Sequence, residues 1–239
     1  MKENEPVYKH EMPYEHILKE IGVPDLIPRL NGLPPKDLQT ILLKVFAENV
    51  KHLSPDDVMA RYDDRYRYLG ASEIDQRDHI RFDSLFYSVV PREYNAIEFS
   101  PTGPLGTNAV LTKLSQDIVP STIRNTEVVS DPTVMLALEA SRRRKSLLQS
   151  DSNNADRVKI CTSSRVLRLQ PFDPKFGYMQ HFKVFAALTA GHNDNFNRFL
   201  ADSATEHLSI FLDFINKLND NQFSIENVVV HLSNMKILG

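Results

Sequence analysis

The chain has 239 residues, of which 41% are hydrophobic and 25% charged. That is enough for one large domain or two small ones and too apolar for a disordered chain. A formal net charge of -3 excludes an overall positive field for nucleic acid or an anionic membrane, and the single Cys161 excludes an internal disulfide and a Cys-rich zinc site. Because the N-terminus is polar and no apolar run is long enough to span a bilayer, the sequence predicts a soluble cytoplasmic protein.

Residues 1–70 carry short helical signals and are predicted to form a helical N-terminal extension. A proline pair at 34–35 opens an apolar run, and Ser54 followed by Pro55 is typical of a helix N-cap with proline in the first turn. Residues 71–239 have longer helix and strand patterns and are predicted to form a second domain.

Ser72 and Asp75 form a capping pattern ahead of apolar residues spaced i, i+3, i+4 and i+7, which predicts a helix that ends before Pro91. Its apolar stripe consists of Phe82, Leu85, Phe86 and Val89. A short strand over 93–100 and a turn over 101–106 are predicted next.

Asp131 before Pro132 predicts the N-cap of a second helix, which is predicted to finish in the cationic run at 142–145, since cations are favourable at a helix C-terminus. Two extended stretches follow, over 158–170 and 180–190. The proline- and glycine-containing segment between them indicates a long hairpin.

A capping pair at Ser203 and Glu206 predicts a third helix, and 225–232 is predicted to close the chain as a strand. The order of elements from Ser72 indicates an α+β domain whose mainly antiparallel sheet is flanked by helices. The sequence contains no GxxxxGK[ST], GxGxxG, HExxH or GxSxG motif, which argues against the chemistries tied to them.

The stretch RVLRLQPFDPKFGYMQHFKVF, residues 165–185, resembles motif 2 of the class II aminoacyl-tRNA synthetases. It is closest to the histidyl branch, which includes the regulatory subunit of ATP phosphoribosyltransferase. Residues 127–144 resemble an upstream turn and helix of those enzymes, and 72–101 resembles motif 1. The resemblance implies a class II synthetase-like core over about 72–238, with residues 1–70 outside it.

The resemblance also implies roles for single residues. Arg168 matches the arginine that grips the substrate carboxylate and the α-phosphate of ATP, and Phe182 matches the ring that stacks on adenine. Lys175 is a loop cation near the outer phosphates, and Asp131 and Thr133 match the turn that receives the amino group. The implied cofactor is ATP with Mg. The alternative roles are an ion pair for Arg168, core packing for Phe182 and helix capping for Asp131.

Two departures from the family concern catalysis. Gln170 stands where the family has the motif-2 glutamate, so it offers adenine a side-chain oxygen but no charge. Motif 3 of the family is a glycine-rich strand and helix that carries a second ATP-binding arginine. It has no candidate here, because the only glycines after Phe185 are Gly191 and Gly239. We therefore expect a synthetase-like paralogue or truncated core that binds an amino acid or nucleotide, or has a regulatory role, without charging tRNA. An ATP-dependent amino-acid-activating enzyme that forms an aminoacyl-adenylate is the alternative, and a structural protein without a ligand is a third. Motif 1 implies a homodimer through residues 72–101.

Overall fold

The computed structural model describes residues 13–64, 66–113, 115–170, 179–193 and 196–231. The chain divides into two compact units, residues 1–58 with 123–125 and residues 59–122 with 126–239. In the described residues, no helix is both long and apolar enough to cross a membrane.

The first unit is helical. Its helices are α1 (Pro13–Glu20), α2 (Leu26–Asn31) and α3 (Pro35–Val50), and α4 (Pro55–Asp64) begins at its end. Ser54 and Asp57 cap α4 reciprocally: the Ser54 amide donates to Asp57 Oδ2 at 2.8 Å, and the Asp57 amide donates to Ser54 Oγ at 3.2 Å. Each bond satisfies a donor that a helix start leaves unpaired, so the cap predicted at Ser54 is confirmed.

The second unit contains two small sheets. Its strands are β1 (Asn95–Ala96), β2 (Thr102–Pro104), β3 (Ser121–Thr122), β4 (Thr126–Val128), β5 (Val158–Leu167) and β6 (His181–Ala190). The order is β1-β5-β6 in one sheet and β2-β4-β3 in the other. β5 and β6 form the predicted hairpin, and among the described strands only β1 pairs in parallel, with β5. The predicted α+β class with a mainly antiparallel sheet is confirmed.

Helices cover both faces of the β5–β6 hairpin. The helices of this unit are α5 (Tyr66–Leu69), α6 (Gln76–Val89), α7 (Thr107–Thr112), α8 (Pro132–Ser150) and α9 (Arg198–Asn219). On one face, Leu136 and Ala140 of α8 pack against Ile160. On the other face, α6 and α9 enclose Cys161, because successive residues of a strand point to opposite sides.

The predicted apolar stripe of α6 lies inside this second cluster. Phe86 is completely buried, and Phe82, Leu85 and Val89 pack against the same cluster. The Phe86 ring lies 4.7 Å from that of Phe185, measured between centroids. The stripe therefore stabilises the fold of a single chain, so a homodimer through residues 72–101 would need a different surface.

Helix α9 starts earlier than predicted. It begins at Arg198, so Ser203 lies within the helix and does not cap it, and its hydroxyl is buried without a hydrogen-bond partner among the described residues. Ser followed three residues later by Glu also occurs in helix interiors, and here the preceding residues, including Leu200 and Ala201, are good helix formers. The capping prediction at Ser203 and Glu206 is wrong.

Two predicted strands are reduced or absent. The strand expected over 93–100 contains only Asn95–Ala96, and the described residues 225–231 form no strand. Val229 in that segment is 68% exposed. A β-branched run needs a neighbouring strand to pair with, and its composition alone does not supply one.

Candidate functional site

Arg168 lies just beyond β5, where the structure brings it together with two other predicted site residues. Its backbone amide donates to Gln180 O at 2.8 Å. Its Nε donates to Ser130 O at 2.9 Å, and its Nη2 lies 3.4 Å from Asp131 Oδ2. The guanidinium carbon lies 5.2 Å from the centre of the Phe182 ring, a cation–π contact. Arg168, Asp131 and Phe182 thus form one cluster.

Asp131 serves both this cluster and helix α8. Its Oδ1 accepts from the Thr133 amide at 2.9 Å and from the Thr133 hydroxyl at 2.7 Å, so Asp131 is the N-cap of α8. Its Oδ2 faces Arg168. The predicted cap is confirmed, and the amino-group-binding role of Asp131 and Thr133 stays a prediction.

The remaining predicted site residues contribute less to the described geometry. Gln170, two residues after Arg168 in the chain, is half-buried, and Lys175 lies outside the described residues. The base of the hairpin loop is fixed by Gln180, whose Nε2 donates to Leu169 O at 2.9 Å.

The Arg168 guanidinium keeps an open side. Its side chain is 30% exposed, and among the described residues nothing accepts a hydrogen bond from Nη1. Asp131 neutralises the charge only in part, because 3.4 Å is a long contact for an ion pair with one oxygen. The open side has the donor chemistry to receive an anion.

A buried carboxylate, Glu127, supports the cluster from within. Glu127 is 1% exposed. Its Oε1 accepts from the Asn108 amide at 2.8 Å and from Asn108 Nδ2 at 2.5 Å. Its Oε2 accepts from the Gly106 amide at 2.7 Å and from Gln116 Nε2 at 2.8 Å. Burial on its own would raise the pKa of Glu127, but these hydrogen bonds outweigh burial and lower it, so the carboxylate is ionised.

Hydrogen bonds connect Glu127 to Arg168. Asn108 donates to Glu127 and, through Oδ1, accepts from the Ser130 hydroxyl at 2.5 Å. The Ser130 carbonyl in turn accepts from Arg168 Nε. Sequence reasoning assigned no role to Glu127, Asn108 or Ser130. The sequence does mark Glu127 as unusual. It precedes two valines and the helix cap at Asp131, so it is a charged residue in a strand-like apolar run.

A separate cavity of about 620 Å³ lies at the open edge of β5, beyond the end of β1. Val129, Pro132 and Met135 line one part of it, and Asp83 and Tyr87 line another. Its size suits a small molecule, but Arg168 is not among its lining residues.

Cys161 is not a candidate nucleophile. Its side chain is completely buried, and burial raises the pKa of the thiol to about 11. A thiol, unlike a thiolate, is a poor nucleophile, so Cys161 is a core residue of the hairpin.

No family model matches the sequence, and the search of curated proteins finds no match. The solved structures that are similar to this chain include the following two. One is an ATP phosphoribosyltransferase regulatory subunit/histidyl-tRNA synthetase from Bacillus halodurans C, at 14% identity and a TM-score of 0.41, covering 59% of this chain and 34% of that one. The other is a pyrrolysyl-tRNA synthetase from Desulfitobacterium hafniense, at 10% identity and a TM-score of 0.43, covering 92% of this chain and 70% of that one.

Both neighbours have class II synthetase-like folds, the class that the sequence resemblance names. This chain spans about a third of the length of the first of them. At these TM-scores and identities, the likeness says nothing about the ligand, activity or partners of this chain.

Proposed function

We propose that this chain is a synthetase-like binding module that holds an anionic small molecule, an amino acid or a nucleotide, at Arg168 without charging tRNA. The observation that supports the proposal is the guanidinium of Arg168, which Ser130 O and Asp131 fix and whose Nη1 has no acceptor among the described residues. A planar guanidinium binds carboxylate and phosphate through paired hydrogen bonds, and fixing it beforehand reduces the entropy lost when the anion binds.

ATP with Mg is the nucleotide that the resemblance suggests. Arg168 suits a phosphate, and the Phe182 ring lies against it for a base. The resemblance assigns Gln170 to the adenine end. One face of Phe182 is occupied by Arg168, so a purine would have to use the other face or displace the guanidinium. In the described part of the chain, no group of three or more His, Cys, Asp or Glu side chains is placed to hold a metal ion. Magnesium would therefore depend on the phosphates for most of its ligands.

The alternative, an amino-acid-activating enzyme, would use the same cluster. Activation requires several fixed cations around the phosphates, because they stabilise the charge that develops as the carboxylate attacks. Arg168 is the cation that the described residues place in the cluster, and Lys175, outside them, is a point charge without the fork geometry of arginine. The small number of fixed cations in the cluster supports ligand binding over amino-acid activation.

Calorimetric titration with ATP and Mg, and with each amino acid in turn, tests the proposal. Replacing Arg168 by alanine should weaken binding of the ligand that is found by about 1.5–3 kcal/mol, the usual worth of a hydrogen bond to a charged group. Arg142→Ala is the matched control, since its side chain lies on α8 and is 69% exposed. Equal affinity in wild type and Arg168→Ala, or unfolding of Arg168→Ala with no ligand bound by the wild type, would contradict the proposal.

The homodimer through residues 72–101 is part of the same proposal, and the exposed side of α6 is its remaining surface. Ile80 is 60% exposed there and Tyr87 37%. Sedimentation at micromolar concentration should give a dimer that Ile80→Asp dissociates, because the substitution places a charge in an apolar contact. A monomeric wild type would rule the dimer out.

A further inference from the structure

A second pocket lies on the opposite face of the hairpin from Arg168, next to α6. Its volume is about 550 Å³. Its apolar wall consists of Ile74, Phe82, Met179 and Phe185. Phe182 also borders the pocket, but it pairs with Val166 in the hairpin and its ring faces Arg168 on the other side. Its polar side includes Arg165, His79 and His181. Pockets of this size with mostly apolar walls and a few convergent polar groups are the usual form of a small-molecule site.

The guanidinium of Arg165 is held between two imidazoles. Its Nη1 lies 2.9 Å from His181 Nδ1, and its Nη2 lies 3.1 Å from His79 Nε2. Arginine only donates, so both of these ring nitrogens accept and carry no proton. His181 therefore carries its proton on Nε2, which donates to Gly70 O at 2.7 Å. Burial first, and then the charges of Arg165 and Lys183, lower the pKa of His79. Neither imidazole brings a negative charge to Arg165.

No carboxylate in the described part of the chain forms an ion pair with Arg165. Lys183, the other cation of the pocket, is neutralised by Asp83, which also accepts from the Ser163 hydroxyl at 2.6 Å. Glu73 lines the exposed rim and is not within ion-pair distance of Arg165. Within the described residues, the pocket therefore combines an apolar wall with one oriented positive charge that no carboxylate compensates.

We propose that this pocket binds a small apolar carboxylate, with its hydrocarbon or aromatic body against Phe82 and Phe185 and its carboxylate on Arg165. An anion on the ligand would balance the charge of Arg165. The apolar wall favours a ligand with a hydrocarbon or aromatic part, because burying that part removes apolar surface from water. The site is distinct from the Arg168 cluster, because the side chains of Arg165 and Arg168 lie on opposite faces of the hairpin. Arg165 contacts α6, and Arg168 contacts the start of α8.

Calorimetry with three matched probes, phenylbutyrate, phenylbutanol and phenylbutylamine, tests this site on the full chain. Phenylbutyrate should bind more tightly than the alcohol, and the amine should bind weakest. Arg165→Gln should weaken phenylbutyrate binding roughly tenfold or more and leave the alcohol unchanged, since a charge-assisted hydrogen bond is lost. Glu73→Gln should strengthen phenylbutyrate binding by roughly twofold, because a like charge leaves the rim.

Arg142→Gln, on the exposed side of α8, is the control and should bind all three probes as the wild type does. Arg165 is exposed, so Arg165→Gln should keep the thermal midpoint of the wild type. Equal affinity for the acid and the alcohol, tighter binding of the amine, no binding of phenylbutyrate, or an unchanged affinity in Arg165→Gln would each overturn the proposal. Arg168→Ala, which tests the other site, should leave phenylbutyrate binding intact, so the two proposals can fail independently.

Discussion

Replacing Glu127 by alanine should lower the free energy of unfolding by roughly 3 kcal/mol or more, the upper range for a single substitution. The carboxylate accepts four hydrogen bonds, from Gly106, Gln116 and two groups of Asn108. Alanine would leave these buried donors without an acceptor. Because Asn108 also orients Ser130, the same variant should weaken the ligand affinity of the Arg168 cluster.

Urea unfolding measures this loss, with Glu226→Ala, an exposed glutamate, as the control. The pH dependence provides a second check. The pKa of Glu127 is lower in the folded chain than its usual 4.5, so its contribution to stability is present above pH 4.5 and is lost as the pH falls through the lowered value. The wild type should therefore lose stability in acid more steeply than Glu127→Ala. Parallel pH profiles would contradict this account of Glu127.

Replacing Phe86 by alanine should cost about 3–5 kcal/mol, the range for deleting a buried aromatic ring from a packed core. Phe86 is completely buried, and its ring centre lies 4.7 Å from that of Phe185 and 5.4 Å from that of Phe214. These neighbours come from β6 and α9, so the cavity would loosen the packing of both elements against α6.

Chemical unfolding of Phe86→Ala beside Phe196→Ala isolates the effect of burial, because the Phe196 side chain is 77% exposed. The control should change the free energy of unfolding by less than about 0.5 kcal/mol. A loss below about 1 kcal/mol in Phe86→Ala would contradict the account of Phe86 as a core residue of the single chain.

Local signals in the sequence predicted the hairpin and several helix starts. Asp131 followed by proline defines the start of α8 because side-chain capping and the fixed proline backbone act within a few residues. The same local rules failed at Ser203, where a capping pattern lies inside α9. They also failed at 225–231, since a strand depends on a partner elsewhere in the chain.

The candidate site was only partly predictable. The resemblance to motif 2 drew attention to Arg168 and Phe182, which do contact each other. The network behind them joins Glu127, Asn108 and Ser130, residues up to 22 positions apart in the chain, and no local spacing indicates that they meet. Arg165 lies in the extended stretch predicted over 158–170, and the local sequence does not indicate its two histidine partners, because they come from different elements.

Amino-acid-dependent exchange of labelled pyrophosphate into ATP, with magnesium present, tests most directly whether this chain binds without activating. We expect no exchange with any amino acid, together with calorimetric binding of a ligand that Arg168→Ala weakens. Gln170 supplies no charge at the adenine end, and Arg168 is the one fixed cation that the described residues bring to the cluster. Robust exchange with one amino acid, abolished in Arg168→Ala, would contradict the account and make the chain an amino-acid-activating enzyme.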